Sequence, residues 1–115
     1  MNKNPVFFWQ NRILKKIFPD DIHCLVMDRN YTNIFVTKTD YVMVRCTLDS
    51  ALKMLPADEF VKIHRSYAVS INFIDEIGTD YVRVTGTDIP LSKQYSKSLK
   101  AKLRIMGKKP SLAEE

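Results

Sequence analysis

The run FVKIHRSYAVSINFI, from Phe60 to Ile74, sets one basic pair, His64-Arg65, between two short alternating apolar runs. Phe60, Val61 and Ile63 lead in, and Ala68, Val69, Ile71, Phe73 and Ile74 lead out. Successive side chains on a strand point to opposite faces, so this pattern predicts strand, polar connection, strand. The connection is pushed to the rim of a sheet, where a stiff scaffold holds loop side chains in place.

The same period recurs along the chain. Val6 to Trp9 and Ile13 to Phe18 predict a hairpin turning at Gln10-Asn11, and Pro19-Asp20-Asp21 a turn. Ile22 to Met27 is strand-like, and Asp28-Arg29-Asn30 connects it to the alternating Tyr31 to Thr37. Tyr41 to Cys46 is its hairpin partner across Lys38-Thr39-Asp40, and Tyr81 to Val84 pairs with Asp88 to Leu91 around Thr85-Gly86-Thr87. The β-branched and aromatic content of these runs favours strands over helices.

Two segments change period. Leu48, Ala51, Leu52 and Leu55 lie at i, i+3, i+4 and i+7, which predicts an amphipathic helix over 48–55. Thr47 is its N-cap, Asp49 suits the first turn and Pro56 stops it. A second helix is expected from Ser92 as cap, over 93–106, with Gly107 at its exit. Tyr95, Leu99, Leu103 and Met106 form its docking stripe; Lys93, Lys97, Lys100 and Arg104 form an outward basic ridge. The expected fold is mainly β, an elongated antiparallel sheet or sandwich with these two short helices. One domain spans 1–107, and 108–115 is a frayed tail.

The formal charge of +5 is unevenly placed. Through Leu91 basic and acidic residues balance, whereas from Ser92 to Lys109 there are seven Lys or Arg and no acid. Such a concentration attracts polyanions, either nucleic acid or an anionic surface, or else simply keeps a helix solvated. No apolar run approaches the roughly 18 residues that cross a bilayer, and the N-terminus lacks the layout of a signal peptide, so a cytoplasmic domain without a membrane partner is expected. Cys24 and Cys46 are too few and too far apart for a zinc site and are expected as small buried side chains; no metal or cofactor is called for.

An enzyme is not expected. His23, His64 and the pairs Asp20-Asp21 and Asp75-Glu76 come without a phosphate loop, nucleophile elbow or ligand spacing. Adjacent carboxylates on a strand also face opposite ways. An RNA-binding or basic protein-interaction β module is the alternative, with Tyr31, Tyr41 and Tyr81 as candidate stacking residues.

Three segments in order resemble the LytTR family of bacterial DNA-binding domains: LVMDRNYTNIFV, FVKIHRSYAVSINFIDEI and IPLSKQYSKSLKAKL. The resemblance runs from about Ile13 to Leu103. It implies sequence-specific duplex DNA binding by loops in neighbouring major grooves, in a bacterial transcriptional regulator or the effector domain of a two-component response regulator. It further implies self-association on paired sites, and a receiver domain or sensor protein outside this chain as partner. Carried over by position, Asn30 stands in the first contact loop, Arg65 in the second, and Lys93 and Gln94 in the third. Many relatives have two arginines where this chain has Lys93-Gln94.

The residue chemistry fits those roles. Arg donates two hydrogen bonds to guanine O6 and N7, and Asn or Gln pairs with adenine N6 and N7. His64, Ser66, Ser92, Lys97 and Lys100 are candidates for phosphate or sugar contacts, which set register without reading sequence. Plainer roles exist for three of them. Arg65 has Asp75, Glu76 or Asp58 as surface ion-pair partners, Asn30 suits a left-handed turn, and His64 can pack on the sheet and donate to a carbonyl.

Overall fold

The computed structural model describes residues 4–110. β1 (Val6–Gln10) and β2 (Ile13–Ile17) pair as a separate antiparallel hairpin. β3 (Cys24–Asp28), β4 (Tyr31–Phe35), β5 (Tyr41–Val44), β6 (Phe60–His64) and β7 (Tyr67–Ser70) form an antiparallel sheet in the order β5-β4-β3-β7-β6. β8 (Ile74–Ile77), β9 (Tyr81–Val84) and β10 (Thr87–Pro90) form a third sheet. α1 (Leu48–Lys53) joins β5 to β6, and α2 (Lys93–Ala101) follows β10. The molecule is long and narrow, 59 × 33 × 22 Å.

The five-stranded sheet is covered on both faces. Leu25, Ile34, Phe60 and Ala68 pack with Phe8 and Ile17 of the hairpin and with Leu48 and Leu55 around α1. On the opposite face Val61, Ile63 and Val69 pack with Val82, Val84 and Ile89 of the third sheet and Leu99 of α2. This explains why β7 buries Ala68, Val69 and Ser70 in succession, a run that a sheet with one wet face would interrupt with polar residues. Leu25, Ile63 and Leu99 are wholly inaccessible, each contributing about 1.5–3 kcal/mol relative to exposure.

The expected mainly-β fold, elongated and antiparallel with two short helices, is the observed one. Thr47 caps α1 through its Oγ1, which accepts from the Ser50 amide at 3.1 Å. α1 ends at Lys53, two residues sooner than its apolar spacing implies.

Two local expectations are corrected. The run from Ala68 to Ile74 is not one strand: Ile71–Phe73 is a 3₁₀ turn that carries the chain from the five-stranded sheet to the third sheet. There the Ile71 amide donates to the Glu59 carbonyl at 2.7 Å, and Phe73 stacks on His23 with ring centroids 4.0 Å apart. Apolar residues continue through the turn because both sheets are buried on their facing sides.

α2 stops at Ala101, so Met106 leaves the docking stripe, Arg104 leaves the helix, and Gly107 is not its exit. Tyr95, Leu99 and Leu103 do pack on the second core. Beyond them the helix runs out of sheet to cover: Ile105 is 65% and Met106 99% exposed. Short helices depend on such packing more than on propensity.

The cysteines are both free and lie apart. Cys24 is in mid-sheet between Phe35 and Val69, while Cys46 lies past the end of β5. Burial pushes the Cys24 thiol from 9.0 up to about 11, so it is an unreactive apolar filler. Among the described residues no helix is long and apolar enough to cross a membrane. The expected tail lies outside the described residues from position 111 onward.

Candidate nucleic-acid interface

The topology brings the three predicted loops to one end of the large sheet. β3 and β6 run towards that end, and β4 and β7 run away from it. The turn Arg29-Asn30 between β3 and β4 therefore lies beside the turn Arg65-Ser66 between β6 and β7. The Met27 amide donates to the Ser66 carbonyl at 2.8 Å, tying the first turn to the second. The Ser92 amide donates to the Ile63 carbonyl, also at 2.8 Å, tying the start of α2 to the strand that carries His64. Both ties are backbone to backbone.

At the second turn, Ile63 and His64 together oppose Tyr67, a register shift that bulges β6 just before Arg65. Bulges re-aim neighbouring side chains and are common beside sites. Arg65 is exposed and engages no acid among the described residues. Two of the acids that offered it a surface ion pair are occupied elsewhere. Asp75 Oδ2 accepts from the Gly86 amide at 3.1 Å, and Glu76 pairs with Arg83 at 3.1 Å.

His64 does not donate to a backbone carbonyl through Nδ1. Its Nδ1 accepts from the Ser66 amide at 3.1 Å, and its ring lies against Tyr67 with centroids 4.9 Å apart. An accepting Nδ1 places the neutral ring's proton on Nε2, leaving that edge as a donor.

At the first turn the left-handed residue is Arg29, with φ 58°, and not Asn30. Asn30 is exposed at the second turn position. Arg29 is itself exposed, and with Asp28, Asn30, Tyr31 and Met43 it lines a shallow concavity. The sequence points to Asn30 instead, because Asn is the usual left-handed residue. Nor does the sequence point to Arg45. It follows β5 at the same end, where the Cys46 carbonyl accepts from Thr32 Oγ1 at 2.9 Å.

At the third element, Ser92 occupies the N-cap position with extended backbone, but its hydroxyl makes no capping bond. The first-turn amides of α2 thus have no side-chain cap. Lys93, Gln94, Lys97 and Lys100 are exposed. Tyr95 and Leu99 face the core, so the lysines lie on the outer side of α2 along the β6 edge. Lys102 is used differently: its Nζ donates to the Ala57 carbonyl and fastens the far end of the helix.

The residues of the rival readings are dispersed. Tyr31 and Tyr41 are on the large sheet, Tyr41 packed against Phe35 at 4.8 Å, while Tyr81 is on the third sheet and donates to Glu76. They form no common stacking platform. Asp75 and Glu76 serve a turn and a surface ion pair, as already described.

A family model described as the LytTr DNA-binding domain matches residues 13–104. The chain belongs to this family. A LytTr DNA-binding domain of a putative methyl-accepting/DNA response regulator from Bacillus cereus superposes with a TM-score of 0.73, covering 88% of this chain and 97% of that one. At 20% identity that likeness concerns the fold. A sensory transduction protein LytT of Enterococcus faecalis is 32% identical over 95 residues, covering 77% of this chain and 39% of the relative. A LytT of Bacillus anthracis is 37% identical over 59 residues, 46% of this chain and 24% of its own length. The chain thus spans well under half the length of these curated relatives. The family match starts at the first residue of β2, so β1 precedes the matched LytTr segment.

Proposed function

We propose that this LytTr domain reads a specific duplex DNA site with the side chains gathered at one end of its large sheet, in a bacterial transcriptional regulator. One observation carries the reading: three separate elements, whose Arg65, Lys93, Lys97 and Lys100 engage no acid among the described residues, are tied together there by backbone hydrogen bonds. Arg65 is the principal base reader, bidentate to guanine, and Asn30 and Gln94 suit adenine. Lys93 is a point-charge base contact where an arginine pair would be a fork.

His64 through Nε2, the Ser66 and Ser92 hydroxyls, Lys97 and Lys100 hold the phosphate backbone. The uncapped first turn of α2 adds amide donors for a phosphate. Arg29 joins this set. The division of labour is then clear: the turns read sequence, while the lysine ridge supplies salt-dependent attraction.

We further infer a single DNA-binding domain over 1–107, acting in the cytoplasm without catalysis of its own. Two copies bind paired sites, and a receiver domain or sensor supplies the signal, as the greater length of the LytT relatives supports.

Selection of preferred sites from a random duplex pool, followed by binding over a salt series, tests this. An enriched motif that Arg65→Ala loses or relaxes supports specific readout. Absence of any motif, with single strands competing equally, overturns it.

A further inference from the structure

On the face of the large sheet that carries the hairpin, β1, β5 and α1 enclose a cleft of about 460 Å³. Ile22 and Ile34 lie at its base; Val6, Val44, Ala51 and Leu55 form its walls. The volume is within the range of small-ligand sites, which are mostly apolar with a few placed polar groups. The opening is apolar too, with Trp9 63% and Met54 66% exposed. Met is an adaptable lining for such a mouth.

Among the described residues one charged side chain lines this cleft, Arg45, and no acid does. Arg45 is exposed and engages no acid among the described residues. An apolar interior beside one free guanidinium is complementary to an aliphatic tail carrying a carboxylate. A second copy of the chain fits less well. A two-fold contact through this hairpin would bring together two basic hairpins, each with Arg12, Lys15 and Lys16 exposed.

We infer that the cleft between β1, β5 and α1 binds an anionic amphiphile, its tail among the core side chains and its carboxylate on Arg45. Binding of such a ligand does not require the DNA reading, although Arg45 lies at the same end of the sheet as the first contact turn. Its wall reaches the first contact turn through Cys46, whose carbonyl is held by Thr32, two residues from Asn30.

Trp9, the sole tryptophan, stands at the mouth and reports occupancy without a label. The test is a fluorescence titration of the folded chain with dodecanoate, kept below the concentration at which it forms micelles. Binding predicts a saturable change in Trp9 emission. Arg45→Gln should weaken dodecanoate by about 10-fold and leave dodecanol unchanged, because only the former offers a charge-assisted hydrogen bond. Ala51→Leu, which fills the cleft, should abolish both. Arg45 is a surface residue, so its variant remains informative even if Ala51→Leu fails to fold. No saturable change, or a dodecanoate affinity indifferent to Arg45→Gln, overturns the proposal. So does an emission change that follows protein concentration without ligand, which would assign the cleft to a second copy.

Discussion

The Ser92 amide donates to the Ile63 carbonyl at 2.8 Å, so α2 begins one residue from the position of His64 in the neighbouring strand. The start of the basic helix and the Arg65 turn therefore share one frame. Side chains can be removed from either without touching the bond that aligns them.

Arg65→Ala should weaken binding to the preferred duplex by about 1–3 kcal/mol, roughly 5- to 150-fold, and relax selection at one position of the motif. Its thermal unfolding should match the parent chain, because Arg65 is exposed and holds no ion pair among the described residues. Repeat site selection with a melting curve checks both. A shared loss for every duplex would instead make Arg65 a phosphate contact.

Lys100→Ala should act differently, lowering affinity for all duplexes alike. The slope of log affinity against log salt should fall by up to about one. The measurement is a salt series on the preferred and a scrambled duplex, and an unchanged slope would remove Lys100 from the interface.

Arg29→Gly should raise stability and lower DNA affinity together. Arg29 holds φ 58°, which costs a side-chain-bearing residue about 1 kcal/mol or more and glycine little. Denaturant unfolding should show the gain, and duplex titration the loss. Stability gained with DNA affinity intact would make the strained arginine a turn residue alone.

Thr85→Asn is the companion change far from the contact turns. Thr85 and Gly86 form the β9–β10 turn with φ 46° and 81°, a geometry that suits Asn-Gly and penalises a β-branched residue. Stability should rise by about 1 kcal/mol in denaturant unfolding, with duplex affinity unchanged.

Cys24 predicts a pH effect of definite sign. Its thiol titrates near 9.0 when unfolded and near 11 when folded, so between those values the folded chain holds the extra proton. Its contribution is complete below pH 9 and declines as pH rises towards 11, by up to about 2 kcal/mol. The alkaline slope of unfolding free energy should be shallower in Cys24→Ala. Parallel slopes would show that the burial does not act on this thiol.

Much of the fold was legible because a period of two survives wherever one strand face meets a core. It failed at Ile71–Phe73, where the chain changes sheets between two buried faces and the apolar pattern does not break. It failed again after Ala101, because Met106 keeps helical spacing past the edge of the surface that α2 and Leu103 cover. The site was legible in part. Periodicity placed Asn30 and Arg65 in connections, and family likeness named their roles. Neither revealed that β3 and β7 are neighbours, a pairing between residues some 40 positions apart that joins the two turns. Arg29 stayed hidden because left-handed propensity favours Asn30 over it, and only the turn itself puts the positive φ on the arginine.

The joins Met27–Ser66 and Ser92–Ile63 involve no side-chain atoms, and they bear on how such domains diverge. A lineage can exchange residues at the tip one at a time, acquiring new operators, without passing through ancestors that fail to fold. Lys93 and Gln94, both exposed at the start of α2, are the kind of positions this frame leaves free to change. Turn-borne recognition residues should accordingly drift faster among duplicated regulators than the strands that hold them.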